Sequence, residues 1–376
     1  MDDLRELLEL TASIAADFYE TLPERPVFPR GTHEELHEAL GGPLPQGPTP
    51  ARNVIAELAA AADSGLVAEP SGRYFGFVIG GSTPASLAAD WLASAWDQNA
   101  VLYVSSPAAS VVEEIAGAWL LELLGLPAQS SVGFVTGAQM ANFTALAAAR
   151  HHVLAAAGWD VERDGLTGAP KIDVIVGANR HGTLDRALWM LGLGRPTNIV
   201  PADDNGRMLA QHLSVSDAPT IICAQAGEVN TGASDPFHAI ADARDAAANA
   251  WIHVDGAFGL WAQTSESLRD QVAGVERADS WSTDAHKWLN VPVRLGARLH
   301  RASGVAQRGV LAARGLPRRV RGARRARLEP GVVTPRTRVP DLCRDPGTRP
   351  RGRFGDGRAL LHTCARVRRR AARARC

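Results

Sequence analysis

Only two lysines occur in the 376 residues, Lys171 and Lys287. Lys287 stands in Ser282-Thr-Asp-Ala-His-Lys-Trp288, after a polar and acidic stretch. A primary amine can form a Schiff base with a carbonyl when its surroundings disfavour its charged form. Equally, Lys287 can be a surface lysine beside a structural tryptophan. Asp255 closes the buried-looking run Trp251-Ile-His-Val-Asp-Gly-Ala-Phe258. A carboxylate at the end of a buried strand is costly without a cationic partner. A protonated pyridine nitrogen would be such a partner; the alternative is that Asp255 caps the helix that follows.

These residues need elements to hold them. From residue 131 the pattern is strand, glycine turn, helix: a strand at 133–136, a turn at 137–142 and an alanine-rich helix at 143–157. Further strands are expected at 172–176, 198–200, 220–224 and 251–254, with helices at 183–191 and 236–248 between them. Strands alternating with helices predict an α/β fold with a mostly parallel sheet covered on both faces. Ligands in such sheets sit at the carboxyl ends of the strands. Upstream, helices are expected at 84–98 and 108–124, and residues 1–70 read as a helical arm interrupted by a Pro/Gly-rich break at 41–50. Its first twenty residues form an acidic amphipathic pattern with Leu4, Leu7, Leu8 and Ile14 inward.

The chain length allows a large α/β domain and a smaller one. No run of about twenty apolar residues predicts a membrane span. The start lacks the basic opening of a signal peptide, so the expected location is the cytoplasm. Cys223 is the one cysteine before residue 293, which argues against a disulfide framework.

The pair His253-Val-Asp-Gly-Ala257 and, about thirty residues on, Asp284-Ala-His-Lys-Trp288 carries a specific likeness. In this order and spacing the chain resembles the group II pyridoxal-phosphate (PLP) dependent decarboxylases of aromatic amino acids, glutamate and related substrates. The resemblance implies a fold type I, aspartate-aminotransferase-like large domain, a PLP cofactor, a homodimer, and a carboxy-lyase acting on a small-molecule amino acid. It makes Lys287 the Schiff-base lysine, Asp255 the partner of the pyridine nitrogen, and Ala257 a residue against the ring. Asp284 and His286 match positions on the phosphate and lysine side. In Asn179-Arg-His-Gly-Thr183 it makes His181 the residue stacked on the ring, although alone His181 reads equally as a polar loop residue. Gly137-Ala-Gln-Met-Ala-Asn142 resembles the phosphate cup, which implicates Gly137, Ala138, Gln139 and Asn142; alone it reads as an ordinary helix start. Gln139 replaces the family's Ser or Thr, and Gly227-Glu-Val-Asn-Thr-Gly232 replaces a Gly-Thr-Thr segment, leaving Thr231 as the nearest hydroxyl. Arg73-Tyr-Phe-Gly-Phe77 and Ser105-Ser-Pro-Ala108 match segments that shape the substrate mouth. Another chemistry on the same fold, an aminotransferase or an aldehyde-forming reaction, is the nearest alternative.

The likeness covers about residues 50–292 and stops there. Residues 1–292 hold 16 Lys+Arg against 36 Asp+Glu, whereas residues 293–376 hold 24 Arg, no Lys and four acidic residues. An arginine-rich tail of this kind suggests a nucleic-acid binder, but the lack of lysine and of a recognisable module argues against one. A change of reading frame near Pro292 explains the asymmetry better, since GC-rich DNA read out of frame yields Arg, Ala, Gly and Pro. Written GTA-CGA-CTC-GGG and read one base later, Val293 to Gly296 becomes Tyr-Asp-Ser-Gly, where the family has Tyr-Asp-x-Gly. The expected organisation is an arm at 1–70, an incomplete PLP-binding domain at 71–292, and an out-of-frame tail at 293–376 with little stable structure. On this expectation the C-terminal small domain is missing and the chain as written is inactive or unstable.

Overall fold

The computed structural model describes residues 2–100, 102–292 and 296–301. Among them seven strands form one sheet: β1 (Ser131–Val135), β2 (Asp173–Gly177), β3 (Asn198–Val200), β4 (Thr220–Gln225), β5 (Ala250–Asp255), β6 (Ser280–Asp284) and β7 (Gly296–His300). Their spatial order is β1-β7-β6-β5-β4-β2-β3. From β3 to β6 every neighbouring pair is parallel, and β7 runs antiparallel to both β6 and β1. The expected mostly parallel sheet is therefore present.

The arm is three helices, α1 (Asp2–Thr21), α2 (His33–Leu40) and α3 (Ala51–Ala62). Leu7 and Ile14 are partly covered, but Leu4 and Leu8 are 58% and 52% exposed, against the inward placement expected for them. Then follow α4 (Pro84–Trp96), α5 (Pro107–Leu123), α6 (Ala138–Ala156), α7 (Val161–Asp164), α8 (Gly182–Met190), α9 (Phe237–Asp245) and α10 (Ala285–Trp288). No helix of the described residues is long and apolar enough to cross a membrane.

Side chains alternate across a strand, so each strand feeds two cores. Ile222 and Ala224 of β4, Ile252 and Val254 of β5, Trp281 of β6 and Ala297 and Leu299 of β7 join one core with Leu120 of α5 and Ile240 of α9. On the other face Val174 and Val176 of β2 and Ile221 and Cys223 of β4 pack with Leu146 and Leu154 of α6 and Leu188 of α8. Alanine is the strongest helix former and the smallest side chain with a Cβ. Ala141, Ala145, Ala148 and Ala149 are wholly buried and let α6 lie close against the sheet.

Two strands were not expected, and both are polar. Four of the five residues of β6 are Ser, Thr or Asp, so no apolar run announces it. β7 lies within the segment expected to be an unstructured tail, yet all five of its residues are buried. Gly296, Ala297 and Leu299 are small or apolar enough to fill the slot between β1 and β6. A Cβ at Gly296 would stand 2.4 Å from the carbonyl carbon of Gly137. The sheet thus continues to His300, past the boundary expected at 292. Residues 293–295 and the tail from 302 lie outside the described residues.

Candidate active site

Asp255 ends β5 and is 6% exposed. Its Oδ2 accepts the Asn142 amide at 3.0 Å, and its Oδ1 accepts the Ala257 N–H at 3.2 Å. It does not cap a following helix through its side chain: the turn after it leads into the 3-10 segment Gly259–Thr264, which has no side-chain cap. One strand over, β6 delivers Asp284 and then the single-turn helix α10, on which Lys287 sits partly buried. The Lys287 amine forms no hydrogen bond or ion pair among the described residues. Lys171, by contrast, is exposed just before β2.

A second segment clamps the lysine turn. Gly81 N–H donates to Asn290 Oδ1 at 2.9 Å, and Thr83 N–H donates to the Asn290 carbonyl at 2.8 Å. A Cβ at Gly80 would stand 2.0 Å from the carbonyl oxygen of His286 and 2.3 Å from that of Lys287, so only glycine allows this approach. Just upstream, Phe75 and Phe77 are 93% and 85% exposed, so they are not core aromatics.

The glycine turn after β1 is shorter than expected. Gly137, with φ +98°, is the N-cap, and α6 starts at Ala138 instead of Phe143. A positive φ suits glycine, and a Cβ there would meet nothing within 4 Å. Gly137, Ala138 and Gln139 therefore form an open helix N-terminus whose first N–H groups lack intrahelical partners. One of them is engaged: Asp284 Oδ2 accepts the Ala138 N–H at 3.3 Å, while its Oδ1 holds His286 Nδ1 at 2.7 Å. Asn142 falls in the second turn, wholly buried, and its side chain turns to Asp255 instead of lining the cup.

Facing Asp255 is a cleft lined by Gly177, Asn179, Arg180, His181, Cys223 and Gln225. His181 is the N-cap of α8, with Nδ1 accepting the Thr183 N–H at 3.3 Å. Gln225, which the sequence reading did not single out, receives the His181 backbone N–H on Oε1 at 3.2 Å and so fixes the rim. Gln225 is fixed in turn by Asp235, whose Oδ2 accepts its N–H and whose Oδ1 accepts that of Met208, each at 2.7 Å. Burial raises the Asp235 carboxyl to about 6 despite these bonds. Burial also raises the Cys223 thiol, and the Asp255 charge adds to it, so the thiol stays neutral and is no nucleophile. Thr231 stands beyond the cleft. Its hydroxyl donates to the Asn205 carbonyl at 2.7 Å, within a turn held by Glu228.

The residues present suit PLP. They offer an amine without partners among the described residues, a buried carboxylate at the end of the neighbouring strand whose near donors are neutral groups, and an open glycine-capped helix N-terminus for a phosphate. Fold and site together define the large domain of a fold type I PLP-dependent enzyme. A match of residues 34–312 to the pyridoxal-dependent decarboxylase conserved domain is the sharper result, and the chain belongs to that family. The match passes Pro292, where the sequence likeness was expected to stop.

Among curated relatives, the chain is 30% identical over 311 residues to tryptophan decarboxylase 1 of Oryza sativa subsp. japonica, covering 77% of this chain and 59% of that one. It is 35% identical over 227 residues to L-2,4-diaminobutyrate decarboxylase of Rhizobium meliloti (strain 1021), covering 57% and 43%. Among solved structures, Oryza sativa TDC with PLP and tryptamine superposes with a TM-score of 0.78 at 24% identity, covering 98% of this chain and 76% of that one. The chain thus spans less than two thirds of the length of the two curated relatives.

Proposed function

We propose that this chain removes the α-carboxyl group of an amino acid as CO2, using PLP held on Lys287. The observation that carries the reading is the pairing of two neighbouring strand ends. β5 presents the buried Asp255 carboxylate and β6 leads directly into the Lys287 amine. When bound, PLP supplies an electron sink for the pair released as CO2 leaves.

The chain's own groups divide the remaining work. Asp255 would hold positive charge on the ring nitrogen, and Ala257 and His181 would flank the ring. The α6 N-terminus at Gly137, Ala138 and Gln139 receives the phosphate, and His286, oriented by Asp284, lies on the same side. Thr231 remains a weaker contact, because its hydroxyl is already engaged. The exposed aromatics at the mouth and the bare arm helix support a homodimer. The two curated relatives act, by their names, on an aromatic and on a basic amino acid, so the substrate is sought among both classes.

The purified chain with added PLP is assayed against such a panel. CO2 and an amine are expected; an oxo acid or an aldehyde points to the other chemistries of this fold. An absorbance band near the visible edge is expected for wild type and is lost in Lys287→Ala. No band in wild type defeats the proposal. A change of reading frame near Pro292 is supported by the charge of the residues past it and opposed by the strand at 296–300 and the family match to 312; sequencing the gene across that codon decides it.

A further inference from the structure

Beneath α6 runs a hydrogen-bond chain in which each donor and acceptor can be assigned. Asp255 is a carboxylate, so the Asn142 atom 3.0 Å from its Oδ2 must be the amide Nδ2–H. Asn142 Oδ1 therefore accepts, from the Ser282 hydroxyl at 2.6 Å and from His253 Nε2 at 2.9 Å. That places the His253 proton on Nε2 and leaves Nδ1 to accept from the Ser280 hydroxyl at 3.0 Å. Ser280 Oγ in turn accepts the Trp251 indole N–H at 2.9 Å. Asn142, His253, Ser280 and Ser282 are all wholly buried, so solvent does not compete for these bonds. Burial also lowers the imidazole pKa, against the pull of the Asp255 charge, and keeps the ring neutral as this order requires.

We propose that Asn142 and His253 are positioning residues for the cofactor's ring nitrogen, acting through Asp255. The Asp255 carboxylate fixes which end of the Asn142 amide faces it, and Ser282 and His253 hold the amide oxygen as donors. An amide locked with its NH2 group toward the carboxylate offers that group a donor and no acceptor. Asp255 is thereby held in one rotation, with Oδ2 facing a donor. A flipped amide would set oxygen against oxygen at Asp255. The inference rests on the PLP reading above and deepens it by naming what holds the acceptor in place.

Two measurements on the full chain test it. In the wild type labelled with 15N-histidine, the His253 signal, identified by its absence in His253→Gln, is expected to show Nε2 protonated and Nδ1 bare at neutral pH. A proton on Nδ1 overturns the relay. Second, Asn142→Leu and wild type are titrated with PLP and with 1-deaza-PLP, in which carbon replaces the ring nitrogen. Loss of a hydrogen bond to a charged group predicts PLP binding weakened about tenfold or more, with 1-deaza-PLP unchanged within about twofold. Equal loss for both ligands, or none for either, overturns the proposal. If wild type takes up neither ligand, the PLP reading itself has failed, which is a different result from an Asn142→Leu variant that fails to discriminate. Should Asn142→Leu not fold, His253→Leu removes a donor that holds the Asn142 oxygen, and a loss confined to PLP is again expected.

Discussion

The α6 face of the sheet has two halves built on different principles. Under the β2–β4 half lie Val174, Val176, Ile221 and Cys223, which meet Leu146, Leu154 and Leu188 without a polar contact. Under the β5–β7 half the same alternating positions carry His253, Asp255, Ser280, Ser282, Asp284, Arg298 and His300, all at most 6% exposed. Apolar burial is non-directional and tolerates small shifts, whereas buried polar groups must meet partners at defined angles. One half therefore supplies stability and the other supplies geometry. The site lies where the second half reaches the strand ends.

The contrast can be broken from either side. The largest effect is expected in the apolar half, where Ile221→Ala removes a wholly buried side chain and costs about 2–5 kcal/mol in urea unfolding. PLP affinity of the folded fraction should stay near wild type; a parallel loss of affinity would show that the halves are not separable.

Next comes pH. Asp235 has its carboxyl raised to about 6 in the folded chain from an ordinary value of 3.8. Between those values the folded state holds the extra proton, so this group adds stability as pH falls through about 6, by about 3 kcal/mol once pH is below 3.8. His253 works in the opposite direction. Its imidazole is lowered from 6.5, so the unfolded chain takes the proton first and stability is lost as pH falls below 6.5. Wild-type stability should therefore vary little over this acid window. His253→Gln should gain relative stability on acidification and Asp235→Asn should lose it. Identical pH profiles for the two variants would contradict the assignment.

The smallest effect is expected for Ser282→Ala, which removes one buried hydroxyl from the Asn142 oxygen. A loss of about 1 kcal/mol in Tm-derived stability is expected, because His253 still satisfies that oxygen.

What could be read from the sequence divides along the same line. The apolar strands β2, β4 and β5 were visible as runs of Ile and Val, and the candidates Lys287 and Asp255 were visible because each lies in a recognisable motif. β6 was not, because a polar strand has no apolar run to betray it, and β7 was not, because it falls among the arginine-rich residues expected to lack structure. The period-two recurrence of Ser280, Ser282 and Asp284 was the available signal. Asn142 was picked out but given the wrong surroundings, since the helix starts five residues earlier than expected and carries its side chain to Asp255. Gln225 and Ser280 gave no local signal at all; their roles exist only once β4, β5 and β6 lie side by side.

Gly80 has a consequence of a mechanical kind. Its backbone bears directly on the carbonyls of His286 and Lys287, with no side chain between to cushion the contact. Two residues before it, Phe77 and Val78 hold positive φ angles of 55° and 53°, so the strand of chain leading to the mouth is already bent against its preference. The exposed aromatics and Lys287 thus lie on either side of one bare backbone contact at residue 80.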